Sequence, residues 1–286
     1  VSYQWTLNGI DIGGETASTY SVSAAGTYTV KGITACCGTT GASLGVVATV
    51  SAQPTSDAGT GGNECDFTFV YSAVPDVGTG TWTITAGPGS GTYLPNANDP
   101  TAQVTVDTYG TYTFRWTENN GGCTDFDEVV VNFYEDPVAD AGSGGDECDL
   151  TKDFGANPSV GTGTWSQVSG PGTTGYSDVN SPSATATSDT YGTYTYRWTE
   201  VNGTCSDFDE IIINYYEQPV ANAGSGGNEC DLNFIFNASP TFGTGTWTQV
   251  GVPPSVASYF PSANSPTALA TVTAYGTYFF RWTELN

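Results

Sequence analysis

The chain has 286 residues, with 5 basic against 29 acidic side chains, a formal charge of −24, and neither histidine nor methionine. So acidic a surface repels nucleic acid and anionic membranes, and a chain without histidine has no Ser-His-Asp or Cys-His machinery, zincin motif or imidazole metal site. Charged residues make up only 12% while glycine, threonine and tyrosine abound, the habit of a secreted β-protein.

In chain order, Val1-Ser2-Tyr3-Gln4-Trp5 has no basic n-region, and no apolar run anywhere approaches the roughly 18 residues that span a bilayer. Gly26-Thr27-Tyr28 matches the Gly-Thr-Tyr of the YGTY segments further along the chain. The repeat type changes near Ala52-Gln53-Pro54, and from there one cassette is repeated. GTGTW occurs at Gly78–Trp82, Gly161–Trp165 and Gly243–Trp247, in steps of 83 and 82 residues. YGTY followed by Arg-Trp-Thr-Glu occurs at Tyr109–Glu118, Tyr191–Glu200 and Tyr275–Glu284. This period is one small domain, not a solenoid rung.

Within the first cassette the strand signals are short, alternating and bounded by Gly, Asn and Pro. They comprise a strand after Cys65, Gly80–Ile84 with Trp82 and Ile84 on one face, Ala102–Val106, and Tyr112–Trp116 with its aromatics on one face. A turn at Asn119–Gly122 leads into a return strand, Asp125–Phe133, making a hairpin. About seven short strands per cassette predict an all-β chain of tandem immunoglobulin-like sandwiches. The expected domains are the C-terminal part of one such domain over 1–52, full repeats over 53–135 and 136–217, and a repeat over 218–286 that stops before its last strand. Junctions at Glu135-Asp136-Pro137 and Glu217-Gln218-Pro219 are short and hold proline, so an extended rod is expected.

Cys65, Cys148 and Cys230 each precede the GTGTW tryptophan by 17 residues, while Cys123 and Cys205 each follow the Arg of RWTE by 8. This arithmetic predicts one disulfide per cassette, Cys65–Cys123 and Cys148–Cys205, with Cys230 pairing beyond residue 286 and either Cys36 or Cys37 bridged in the first unit. Closing such a loop stabilises a domain by about 4 kcal/mol. Zinc is disfavoured because no Cys-x-x-Cys pair exists, and disulfides imply an oxidising, extracytoplasmic compartment.

The segments Pro137–Cys148, GTGTW and Tyr191–Glu210 resemble repeat domains of very large cell-surface adhesins of gliding, type IX-secreting Bacteroidota, and are similar to polycystic-kidney-disease (PKD) domains. GTGTW stands where the PKD family has its WDFGDG-type motif, so the likeness is PKD-like only. Tyr3–Val30 resembles a different immunoglobulin-like repeat of the same giant proteins. The resemblance implies display at the bacterial cell surface, secretion through the outer membrane, and adhesion or gliding motility.

Under the predicted pairing, Glu64 and Asp66 meet Asp125 and Asp127, and Glu147 and Asp149 meet Asp207 and Asp209. Calcium, which takes six to eight oxygens, is the one cofactor such clusters admit. Solvated rim charge that keeps strand edges from pairing is the preferred reading, since no EF-hand pattern exists and Asp140 becomes Asn222 in the next cassette. Arg115, Arg197 and Arg281 are expected to pair with return-strand acids, Asp127 or Asp209. Tyr93, Tyr176 and Tyr259 recur beside turns and are weighed as sugar-stacking platforms against packed rim residues, the latter preferred. Serial copies of the same acids without a cleft argue against glycosidase chemistry.

The expected function is a structural stalk or fibre segment of an extracellular adhesin, non-enzymatic, partnered by neighbouring repeats or copies of itself. The alternatives are a glycan- or calcium-dependent recognition module repeated for avidity, and a subunit of a strand-exchanged filament.

Overall fold

The hairpin around which the first two cassettes are built follows from side-chain alternation. In the computed structural model, which describes residues 1–34, 38–39 and 46–286, Gly110–Asn120 pairs antiparallel with Cys123–Phe133 from Gly110↔Phe133 through Asn120↔Cys123. Two glycines make the turn, Gly121 at φ 63° and Gly122 at φ 96°, the left-handed pair that a two-residue hairpin of type I′ demands. Tyr112, Phe114, Trp116 and Glu118 point inward from one strand, and Val129, Val131 and Phe133 from the other.

Thr79–Ala86 flanks the hairpin antiparallel to Gly110–Asn120, and Gly62–Glu64 lies on the opposite edge, parallel to the end of Cys123–Phe133. Facing this four-stranded sheet is one of three, Thr68–Val70, Gln103–Val106 and Gly91–Leu94. Alternate residues of both sheets interdigitate, and the centre is aromatic, with Tyr71 stacked on Trp82 at 3.8 Å and Trp82 tilted against Trp116 at 5.2 Å. Upstream, Ser2–Leu7 and Gly26–Thr34 form the middle of a five-stranded sheet that also holds Ile10–Asp11, Gly38–Thr39 and Val46–Ala48. Cys36 and Cys37 lie outside the described residues.

The second cassette repeats this plan. Gly145–Glu147, Cys205–Tyr215, Gly192–Asn202 and Thr162–Ser169 form its four-stranded sheet, and Thr151–Asp153, Thr185–Ser188 and Thr174–Tyr176 its three-stranded one. The third keeps a three-stranded sheet of Asn233–Ile235, Leu269–Thr271 and Ser258–Phe260, but its other sheet holds Thr244–Val250 and Phe279–Leu285 alone. Among the described residues every regular element is a strand. Two compact units result: Val1–Asp136 with Asn202–Cys205, and Pro137–Val201 with Ser206–Asn286.

Candidate functional site

Among the described residues the cysteines do not pair within cassettes. Cys65 is bonded to Cys205, 140 residues away, with Cα atoms 5.5 Å apart, while Cys123, Cys148 and Cys230 are free thiols. The predicted Cys65–Cys123 and Cys148–Cys205 bridges are therefore corrected, and the reason is strand direction. Glu64 is in register with Phe133, so Cys65 lies at the far end of the strand that Cys123 begins. Ten residues at about 3.4 Å each put the two cysteines on the order of 34 Å apart, far outside the roughly 7 Å that a disulfide tolerates. The same holds for Cys148, which follows Glu147, the register partner of Tyr215. Spacing alone could not reveal this, because it carries no information on whether the short edge strand runs parallel or antiparallel.

The bond joins consecutive cassettes along the sequence. Segment Asn202–Cys205 belongs to the first compact unit, where Cys205 is buried and Asn202 Nδ2 donates to the Glu135 carbonyl at 2.8 Å. Asn120 Nδ2 likewise donates to Ala52 O at 3.0 Å, and Asn286 Nδ2 to Glu217 O at 2.9 Å. In all three places a side chain at the end of the Arg-Trp-Thr-Glu strand grips the carbonyl two residues before the junction proline. Cys123 occupies the position equivalent to Cys205, with its Sγ 3.7 Å from Ser51 O, as Cys205 Sγ is 3.8 Å from Glu64 O.

The carboxylates proposed for calcium are dispersed onto other tasks. Asp125 and Asp127 accept from the N–H groups of Ser56 and Ala58, both at 2.9 Å, and Asp207 and Asp209 from Ala139 and Ala141 at 2.9 and 3.0 Å. They lace the entering segment to the return strand. Asp66 and Asp149 each accept from a threonine two residues on, Thr68 and Thr151. Glu147 pairs with Lys152 at 2.7 Å. Burial, followed by the neighbouring charge of Asp66, raises the Glu64 carboxyl above its ordinary range. Among the described residues the one grouping with metal-binding spacing is Cys65, Asp136 and Cys205, and both sulfurs are already bonded to each other. It thus offers one carboxylate.

The arginine partners shift by one residue from the expectation. Arg115 is opposite Glu128 in register and bonds it at 2.9 Å, and Arg197 bonds Glu210 at 2.6 Å. Asp127 faces the other way, toward Ala58. Each guanidinium also lies over a phenyl ring of the return strand, Phe126 at 3.9 Å and Phe208 at 4.0 Å. Tyr93, Tyr176 and Tyr259 pack against the core, ring to ring with Tyr71, Phe154 and Phe236, their hydroxyls enclosed. They present no exposed platform.

A carboxylate latch escaped the sequence reading. Glu118 and Glu200, the last residue of each RWTE, are 1% exposed. Glu118 accepts from Trp116 Nε1 at 3.1 Å and from Asp76 N at 3.0 Å. Glu200 accepts from Trp198 Nε1, Ser159 N, Ser159 Oγ and Val160 N. Burial would raise the Glu200 pKa, but the hydrogen bonds from Ser159, Trp198 and Val160 prevail and hold it below the ordinary value. The signal was present: Glu118 has the inward parity of Tyr112, Phe114 and Trp116. The second glycine of GTGTW has an equally definite task. A Cβ on Gly80, Gly163 or Gly245 would occupy the indole of Trp116, Trp198 or Trp282.

Two facing sheets of four and three strands, Greek-key order and an aromatic interior occur twice over, and a partial copy follows. The fold is that of tandem immunoglobulin-like β-sandwich domains. Solved structures similar to it include an I-band fragment from titin, at 14% identity over 82% of this chain and 94% of that one, with a TM-score of 0.46. Extracellular domains 3–5 of Drosophila OTK match at 12% identity over 75% and 85%, with a TM-score of 0.42. Sidekick-1 immunoglobulin domains 1–5 match at 11% identity over 96% and 68%, with a TM-score of 0.38. No protein-family model matches the chain, and no curated protein sequence does so either. Among the described residues no helix is long and apolar enough to cross a membrane.

Proposed function

We propose that these immunoglobulin-like domains are a force-transmitting stalk segment of an extracellular bacterial adhesin or surface filament, supplying length and multivalent display and catalysing no reaction. The observation that carries this reading is the Cys65–Cys205 bond, which makes one cassette's fold covalently continuous with the next cassette's sequence. A disulfide of this kind suits an oxidising, extracytoplasmic setting, and the repeated asparagine grips on the junction carbonyls suit a segment whose linkers resist bending. The Bacteroidota adhesin likeness of the cassette motifs points to the same setting. Its neighbours in the fibre are other repeats or copies of the chain.

The test is antibody labelling of intact cells of the encoding organism with serum raised against the second cassette, alongside a glycan array probed with purified chain, with and without calcium. Surface labelling and a blank array are expected. Labelling only after lysis would overturn the surface role, and saturable binding to one glycan class would replace the stalk by a recognition module.

A further inference from the structure

Every cassette flanks the cysteine upstream of GTGTW with the same two acids, as Glu64-Cys65-Asp66, Glu147-Cys148-Asp149 and Glu229-Cys230-Asp231. In the first compact unit, where this cysteine is bonded, the junction adds two more. A carboxylate oxygen of Asp136 and both sulfurs of the Cys65–Cys205 bond lie within 4.8 Å of one another. Tyr109 stacks on Phe67, two residues past Cys65, at 4.0 Å. Burial first, and then the charges of Glu135, Asp66 and Asp136, push its hydroxyl up, so all three carboxylates act on one small region. The one cation of the neighbouring hairpin, Arg115, is held by Glu128 at 2.9 Å and offsets none of this charge.

The two sulfurs differ in access. Cys205 is 2% exposed, with its Sγ 3.8 Å from the Glu64 carbonyl oxygen, whereas Cys65 is exposed. Exchange runs through a thiolate that attacks one sulfur of a disulfide and expels the other. Here the sulfur open to attack is Cys65 Sγ. A thiolate RS⁻ bonds to it, the Cys65–Cys205 bond breaks, and the electron pair leaves on Cys205 as a buried thiolate. A second RS⁻ attacks the mixed disulfide and gives RSSR and the Cys65 thiolate, so two external thiols are oxidised as the cystine is reduced. The incoming and the outgoing negative charge must both stand beside Glu64, Asp66 and Asp136.

We propose that these carboxylates are an electrostatic gate on the crosslink, holding the Cys65–Cys205 bond closed against anionic thiols and leaving it open to thiols that carry a compensating ammonium group. One carboxylate about 7 Å from a thiolate in water slows the encounter roughly two- to threefold. Three or four of them compound this to roughly tenfold or more at low ionic strength. The stalk reading needs only that the bond exists; the gate specifies which class of reductant breaks it, and fails separately.

The test follows loss of the Cys65–Cys205 peptide in the full chain by acid quench and mass spectrometry. Mercaptoethanesulfonate, mercaptoethanol and cysteamine are compared at equal thiolate concentration, each rate divided by that thiol's rate on a neutral model disulfide. At about 10 mM salt cysteamine is expected to lead mercaptoethanesulfonate by roughly tenfold or more, the ratio falling toward one at about 1 M, where the Debye length is about 3 Å. D66N/D136N should speed mercaptoethanesulfonate several-fold and leave cysteamine within about twofold of its starting rate. D136N alone, at an exposed position, gives the same comparison if loss of the Asp66–Thr68 bond disturbs the turn. Equal normalised rates for the three thiols, or a ratio that salt does not move, would overturn the gate. So would equal acceleration of all three thiols in both variants, since a loosened fold admits every reductant alike.

Discussion

Breaking the Cys65–Cys205 bond has a mechanical consequence that can be worked out in ångströms. Pulled from its ends, the oxidised chain passes force from Cys65 directly to Cys205, and the intervening loop, a sequence separation of 140, is bypassed. At 3.3–3.6 Å per extended residue this hides roughly 460–500 Å of contour. Reduction, or the double substitution C65S/C205S, should release that length in single-molecule pulling and let both complete cassettes unfold to full extension. In the chain-entropy relation a loop of this size also contributes about 5 kcal/mol by restricting the unfolded state, so the denaturant midpoint should fall on reduction. Equal total contour lengths in oxidised and reduced chains would refute the reasoning, as would peptide mapping that finds Cys65 joined to Cys123.

Further expectations concern the interior. Glu200→Ala strands Ser159 N, Val160 N and Trp198 Nε1 in a buried place and should cost about 2–4 kcal/mol by denaturant titration; a loss below 0.5 kcal/mol would remove the latch. Because the Glu200 pKa is depressed in the folded state, its contribution is fully present above the unfolded carboxyl value and is lost as pH falls through the folded one. Glu200→Gln should therefore flatten the acid limb of the stability profile. Gly163→Ala forces a methyl group into the Trp198 ring and should destabilise by about 1–3 kcal/mol, whereas Glu210→Gln, which cuts a partly exposed ion pair, should change stability by less than about 1 kcal/mol. Burial and then Tyr196 push the Tyr176 hydroxyl up to about 12, so Tyr176→Phe should remove one late-titrating phenol from the alkaline ultraviolet titration.

What the sequence made legible is what alternation encodes. Tyr112, Phe114 and Trp116 were expected on one face and are buried together, and Trp82 and Ile84 share the core as expected. The return strand anticipated at Asp125–Phe133 exists as Cys123–Phe133. Relations between elements were not legible. The parallel run of Gly62–Glu64 separates Cys65 from Cys123, and nothing in the spacing of cysteines encodes strand direction. Similarly, Glu128 and not Asp127 faces Arg115, because register across a hairpin is fixed by the two-residue turn. Counting inward from Gly121 and Gly122 would have given the correct partner. Glu118 was overlooked because a charged residue reads as surface, although its parity said otherwise.

The separation between Cys65 and Cys205 also imposes an order of events at the ribosome. At about 5–20 residues per second, Cys205 emerges roughly 7–28 s after Cys65, and Cys123 and Cys148 both appear in the interval. A nascent chain oxidised while still unfolded would be free to join Cys65 to either of them. Once the first cassette has formed, its own hairpin carries Cys123 to the opposite pole, and correct pairing becomes a matter of waiting. The sandwich thus proofreads its crosslink: Cys65 finds Cys205 when folding precedes oxidation, and an oxidant that acts on the unfolded chain would trap the wrong pairs.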